Sequence, residues 1–510
     1  MMMLAGSASA AYVEPGFFAT SSDNVVAAQK SWENAEYEKD WGLRAMKASK
    51  AYALGFTGQN TKVAMMDSAA VIQKHSELSG DRFSATHVKG EYGMSGNRYP
   101  QSVTSTKPGQ PFEKGEKYDV TGEWIPNVNC SHGTHVTGTV GANRDGKEFH
   151  GVAFGSNIVV GNTGATDNNN YGPYQDYDFF YAGWKALADD LNASNGEHRG
   201  GVINNSWGTN IKVVQVFKRV TVDANGDGQP DVDKNGKPVL DWEYDHDLRP
   251  GEKIEVADLD TTVVGALTTS TGGIAADTLQ ESEYEYFYHR KEYQDEYAGT
   301  DHAGKSFVDA AYDAVKGTNV VQIFTTGNVN RANPFYRPLY PYFNPEAEKH
   351  WIAVAGLGRE FDENNKWTGK YKLTSGFVEA GLGKWWTVAA PSNGVYSSVV
   401  YDGVILGLKD HKLGDLGYAS FSGTSMAAPH VAGDMGVLMS RYQDMNAIQV
   451  RDVMFTTANH YNPDGSIMEG WHNNKPGQPN TVGSLPKDGE VSDRMGWGVP
   501  DLDKGMYGSG

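Results

Sequence analysis

Six short apolar runs recur along the chain, separated by longer segments: "TKVAMMD", "NIVVGN", "GVINNSW", "NVVQIFTTGN", "HWIAVAGL" and "WWTVAAP". A run of this length without polar alternation is a strand buried on both faces. Between some of them lie helical stretches, "YDFFYAGWKALADDLNAS" and "SFVDAAYDAV", the second closed by Gly317. Buried strands alternating with helices predict an α/β fold, a parallel sheet with helices on both faces. Residues 85–128 are rich in Gly, Pro, Ser and Thr and are expected to be a long loop region. No internal repeat or heptad array is present.

The charge is unevenly spread. The 510 residues carry a net −19, which argues against partners such as nucleic acid or an anionic membrane. Between Asp223 and Asp301 there are 20 acidic and 6 basic residues, so net −14 falls in that stretch. Residues 209–303 therefore read as an acidic insertion into the α/β plan. Hydrophobic residues make up 39% and charged ones 21%, the balance of a soluble chain with a sizeable core. Cys130 is the single cysteine, so no intrachain disulfide forms. It reads either as a small packing residue or as a thiol near the cleft, two residues before His132. No run is long and apolar enough to span a membrane. Residues 1–10 end in Ala8-Ser9-Ala10, the small-residue form of a signal-peptidase site, and read as a signal-peptide remnant or as an uninformative start.

The chemistry gathers in a few blocks. "FSGTSMAAPHVAG" places Ser425 at a glycine turn that opens an apolar helix. A serine there is either an ordinary N-cap or a nucleophile served by the free N–H groups of the helix start. "NCSHGTHVTG" holds His132 and His135 without the carboxylate or cysteine spacing of a zinc motif, so one of them reads better as a general base. Asp67 ends one strand and Asn328 follows another. Each alone suits a turn; together, at the carboxyl ends of parallel strands, they suit a site.

"VAMMDS", "SHGTHVTG", "INNSWG", "FTTGN" and "GTSMAAPH" resemble the successive blocks of the subtilisin family, in its chain order Asp, His, Ser. They span residues 63–432. The resemblance implies a subtilisin-like three-layer α/β/α architecture with a mostly parallel sheet, over residues 61–505 with the insertion at 209–303. It implies a serine endopeptidase in which Asp67 orients the base His132, Ser425 is the nucleophile and Asn328 completes the oxyanion hole, with His135 structural. Ser206, Trp207 and Gly208 would lie along the substrate strand and specificity pocket, Trp207 as a bulky wall.

"SWENAEYEKDWGLRAMKASKAYALGFTG", "HGVAFGSNIVVGN" and "GWGVPDLDKGMYG" are further similar to subtilisin-type autotransporter passengers of Gram-negative bacteria. That implies an enzyme secreted or held at the cell surface, protein or peptide substrates, a linked outer-membrane β-barrel outside this chain, and a monomer. Residues 11–60 would pack on the protease, and 506–510 would begin a stalk. Ser68, Ala69 and Ala70 are smaller than the residues this group often carries after the Asp. The stretch before Asp67 is too short for the usual folded pro-domain.

"DANGDGQPDVD" sets Asp223, Asn225, Asp227, Asp231 and Asp233 as alternating oxygen donors, as in D-x-N-x-D-G calcium loops, but Lys234 stands where an EF-hand has its closing Glu. Calcium and a solvated acidic turn both remain open. The reading from another functional class is a catalytically silent surface-binding or adhesion module that uses the acidic insertion.

Overall fold

A computed structural model describes residues 18–19, 24–97, 111–166, 176–208, 214–247, 262–266, 297–403, 411–475, 478–487 and 489–508. The six expected runs become strands β1 (Lys62–Asp67), β3 (Asn157–Asn162), β4 (Gly201–Asn205), β5 (Val320–Thr325), β6 (Trp351–Phe361) and β8 (Thr387–Pro391) of one sheet, joined by two strands not expected from the sequence, β2 (Phe83–Ala85) and β7 (Trp367–Leu373). Their order is β7-β6-β5-β4-β1-β3-β2, with β8 also paired to β6. All pairs are parallel except β6 with β7.

Helices α1 (His132–Gly141) and α4 (Thr424–Arg441) pack on each other and on the sheet; α2 (Tyr177–Asn195) and α3 (Phe307–Asp313) do the same elsewhere on it. Strand β1 shows that these pairs lie on opposite faces. Val63 meets Gly436 of α4, whereas Met66, an odd number of residues on, meets Gly183 of α2. The approach is close at both glycines: a Cβ would stand 3.0 Å from Val63 Cγ2 at Gly436 and 2.7 Å from Met66 Cε at Gly183. Asp176 caps α2 through Phe179 N at 2.6 Å, and a Ser306–Asp309 capping box opens α3.

The N-terminal segment folds into four short helices, Val25–Trp32, Ala35–Lys39, Trp41–Ala45 and Ala48–Ala53. Trp32, Tyr37, Leu43 and Tyr52 are buried there, and Trp32 stacks on Phe154 of the main body at 5.9 Å. Truncating a buried aromatic of this kind costs about 3–5 kcal/mol, so the segment is part of the core.

Two regions differ in kind from the sheet. The stretch 85–128, expected to be loop, is not loop throughout: His87–Glu91 and Lys117–Thr121 form an antiparallel pair. Aromatic packing overrides its turn-rich composition, since Tyr118 packs on Phe179 of α2 at 5.0 Å. In the acidic insertion, Leu240–Asp247, Val214–Thr221 and Thr262–Ala266 form a separate three-stranded antiparallel sheet. Residues 1–10, read as a signal remnant, lie outside the described residues, as do 509–510 of the expected stalk start. Met506 is buried and its carbonyl accepts from Arg441 Nε. Among the described residues no helix is long and apolar enough to cross a membrane.

Candidate active site

Three neighbouring strands, β5, β4 and β1, deliver Asn328, Ser206 and Asp67 at or just beyond their carboxyl ends. That edge of a parallel sheet is where side chains converge on a ligand. Helices α1 and α4 begin with His132 and with Thr424-Ser425.

Asp67 Oδ1 lies 2.8 Å from His132 Nδ1, with Asp67 sealed and the His132 side chain 30% exposed. The same oxygen accepts from the Ser68 amide at 2.8 Å and from the Ser68 hydroxyl at 3.3 Å. Ser68 Oγ in turn accepts from the Gly133 amide at 2.9 Å, which ties α1 to the end of β1. The approach is close: a Cβ at Gly133 would stand 2.1 Å from the Ala69 carbonyl oxygen. Ala69 holds a left-handed φ of 62°, a conformation that disfavours larger or branched residues. The small residues after Asp67 thus give the helix of His132 its seat.

Cys130 Sγ donates to Ser68 Oγ at 3.2 Å and is half-buried. His135 is fully buried, with Nε2 at 3.0 Å from the Val395 carbonyl and the ring stacked on Phe421. Burial, with a smaller contribution from His132, pushes its pKa down to about 3. It is a neutral packing residue.

Asn328 is exposed at its loop. Its Oδ1 accepts both the Thr424 amide and the Thr424 hydroxyl at 2.8 Å. Holding the oxygen this way turns the amide NH₂ away from Thr424, and Nδ2 would be only 3.3 Å from a Cβ at Gly423. Gly423 holds a positive φ (φ 158°, ψ 159°) that side chains rarely adopt, so the backbone itself calls for glycine here, and the missing Cβ also leaves room for Asn328. Thr424 and Ser68 are positioning residues the sequence reading left unassigned. Each hydroxyl stands next in sequence to a named site residue, which was the available signal.

Ser206 is buried and accepts from Asn204 Nδ2 at 2.8 Å. Gly208 has φ 121°, and a Cβ there would meet the Arg337 guanidinium at 2.0 Å. Trp207, expected as a wall of the substrate pocket, turns its ring into the core. It stacks on Trp184 at 6.0 Å, packs beside Phe180 and Phe307, and donates from Nε1 to the Met66 carbonyl at 2.6 Å. A buried indole needs an acceptor for its N–H, and the carbonyl row of β1 provides one.

Asp223, Asn225, Asp227, Asp231 and Asp233 occupy an exposed turn. Asp223 accepts from the amides of Gly226, Asp227 and Gly228, and Asp231 from Ala224. Among the described residues no group of three or more His, Cys, Asp or Glu side chains is placed to hold a metal ion.

The profile of the Subtilase family matches residues 58–498. The chain is 27% identical to an extracellular serine protease of Serratia marcescens over 458 residues, covering 88% of this chain and 33% of that protein. It is 24% identical to the Neisserial autotransporter lipoprotein NalP of Neisseria meningitidis serogroup B over 38% of this chain and 15% of that protein. Fervidolysin of Fervidobacterium pennivorans overlays with a TM-score of 0.46 at 18% identity, over 93% of this chain and 47% of that structure. The chain spans about a third of the length of the Serratia relative. With a family match across most of its length, and with Asp, His and Ser in the order of that family, the chain belongs to the Subtilase family of subtilisin-type serine proteases.

Proposed function

We propose that the chain is a secreted serine endopeptidase in which Asp67, His132 and Ser425 form the catalytic triad and Asn328 the side-chain half of the oxyanion hole. The observation that carries this is the Asp67–His132 contact of 2.8 Å beside an Asn328 whose carboxamide is fixed on the residue preceding Ser425. Ser425 Oγ attacks the peptide carbonyl and its proton passes to His132. Asp67 holds the imidazole in one tautomer and stabilises the imidazolium. The Asn328 amide and the Ser425 backbone N–H, in the first turn of α4, receive the negative oxygen. The C–N bond breaks as His132 returns the proton to the leaving amine. Water, deprotonated by the same histidine, then attacks the acyl ester and frees the acid and Ser425.

The backbone of Ser206-Trp207-Gly208 continues from the end of β4 and would pair with an extended substrate. Protein or peptide chains are the substrates, with maturation of surface or secreted proteins in a Gram-negative envelope as the setting; the names of the Serratia and Neisseria relatives, an extracellular serine protease and an autotransporter lipoprotein, support the extracellular part of this reading. A linked outer-membrane barrel belongs to the same reading, as does a monomeric passenger. Calcium at Asp223–Asp233 would brace the acidic insertion and take no part in catalysis. Its check is the melting temperature with calcium and with chelator, where equal values remove the idea.

The test of the main reading is labelling with a fluorophosphonate and mass spectrometry of the labelled peptide. Label on Ser425, absent in Ser425→Ala together with all peptidase activity, is the expected result. Folded protein that takes no label, or turnover that survives in Ser425→Ala, overturns it.

A further inference from the structure

The helix that carries Ser425 also contains a histidine, His430, sealed inside the protein. Its Nε2 lies 2.9 Å from Asp40 Oδ2, and both side chains are fully buried. Its Nδ1 lies 2.7 Å from the Met426 carbonyl, the residue after Ser425. Both ring nitrogens therefore face acceptors, which requires two N–H donors and makes the ring an imidazolium with Asp40 as its counter-ion. Pro429 lies inside the same helix. Lacking an N–H, it leaves the Ser425 carbonyl without its usual helical donor, so the first turn of α4 is short of one backbone bond.

Asp40 does not stand alone. Its other oxygen accepts from the Gly42 amide at 2.9 Å. A Cβ at Gly42 would fall 2.2 Å from His430 Nε2, so only glycine lets the segment come this close. Between them, Trp41 Nε1 donates to the Asn393 carbonyl at 2.8 Å. Asn393 follows Ser392, whose carbonyl accepts from the Gly423 amide at 2.9 Å. The tripeptide thus reaches the nucleophile turn from two sides, through the helix after Ser425 and through the strand end beneath Gly423.

We infer that Asp40-Trp41-Gly42 is a clamp from the N-terminal segment that positions Ser425, with Asp40 acting through His430. The clamp rests on the reading of Ser425 as nucleophile. These three are positioning residues: they touch neither substrate nor the reacting atoms. The inference makes the N-terminal segment through Gly42 a working part of the mature enzyme.

The experiment measures kcat, KM and melting temperature for Asp40→Asn, with kcat expressed per Ser425 labelled by fluorophosphonate. Label on Ser425 of the parent enzyme is established first, so a failed nucleophile assignment shows there and not in the variant. The expected result is a roughly tenfold to hundredfold loss of kcat per labelled site with KM little changed, the scale of a sub-ångström to one-ångström misplacement. Lys47→Met is the control. Lys47 pairs with Asp501 at 2.6 Å from the same segment and is no part of the Asp40–His430 contact, and it should change the melting temperature and leave kcat alone. If Asp40→Asn does not fold, Trp41→Phe keeps the ring, removes the bond to Asn393, and should lower kcat by a smaller factor. An unchanged kcat per labelled site in the folded variant overturns the clamp.

Discussion

His132 stands 2.8 Å from Asp67 and His430 stands 2.9 Å from Asp40, so the two pairs are almost equal in length. Their surroundings separate them. The His132 side chain is 30% exposed at the carboxyl edge of the sheet, whereas His430 and Asp40 are wholly sealed. Asp67 receives its described hydrogen bonds on Oδ1, while among the described residues Oδ2 has none. Asp40 places one donor on each oxygen. For His430, burial alone would depress the pKa; the Asp40 carboxylate, together with the Met426 and Pro391 carbonyls, offsets this and leaves it above its ordinary value. An imidazole that must gain and lose a proton needs an open side and a counter-ion it does not saturate. An imidazole that anchors a helix needs both nitrogens occupied and no water. One residue pair serves two purposes, and exposure decides which.

The largest effects should come from the open pair. His132→Ala is expected to lower kcat by about 10⁶-fold, the loss measured for the same constellation in subtilisin. Asp67→Asn keeps the shape and removes the charge, and should cost about 10⁴-fold by favouring the wrong tautomer of His132. Steady-state peptide hydrolysis with melting curves checks both. If His430→Ala, corrected for folded protein, matched His132→Ala in depth, the assignment of roles to the two pairs would be reversed.

Next in size is Asn328. Its carboxamide is held by Thr424 and not by either histidine, so Asn328→Ala should leave both pairs intact. The expected loss is about 10²–10³ in kcat with KM nearly constant, the scale for a single oxyanion donor in subtilisin. Thr424→Val removes the hydroxyl that grips Asn328 Oδ1, and should reproduce a fraction of that loss. A change confined to KM in either variant would place Asn328 in substrate binding instead.

The open pair was legible in the sequence and the sealed pair was not. Asp67 ends and Asn328 follows a buried apolar strand, His132 and Ser425 open helices of small residues, and the resemblance to the subtilisin blocks supplied the roles proposed for them. The alternation of strands and helices likewise announced the central sheet. Asp40 and His430 are 390 residues apart, and nothing local to "KDWGL" or "AAPHVAG" says that they meet. Such pairings are fixed by tertiary packing. The same holds for Trp207, whose place beside Gly208 suggested a pocket wall. Its direction was set by Trp184 and Phe180 on α2, the helix before β4, and by Phe307 on α3. In residues 85–128 the Gly, Pro, Ser and Thr content suggested loop, yet among the described residues Gly90, Gly96 and Pro111 lie in short strands.

The smallest effect concerns stability. Asp434 lies four residues after His430 on the same buried helix, yet among the described residues neither of its oxygens has a partner. Burial, with a smaller contribution from Asp501, raises its pKa well above the ordinary value of 3.8. A carboxyl whose pKa is raised on folding costs stability once the unfolded chain can ionise. Below the unfolded value both states are protonated and there is no penalty. As the pH climbs through that value the unfolded chain ionises first, and stability falls until the folded pKa is reached. The slope is about 1.4 kcal/mol per pH unit for one proton. Asp434→Asn removes this titration and keeps the size, so it should melt above the parent at neutral pH. The gap should close as the pH is lowered toward 4. Urea midpoints taken from pH 4 to pH 8 measure it. Parallel curves for parent and variant would mean that Asp434 is ionised and paired like Asp40, and that α4 carries two compensated charges and not one.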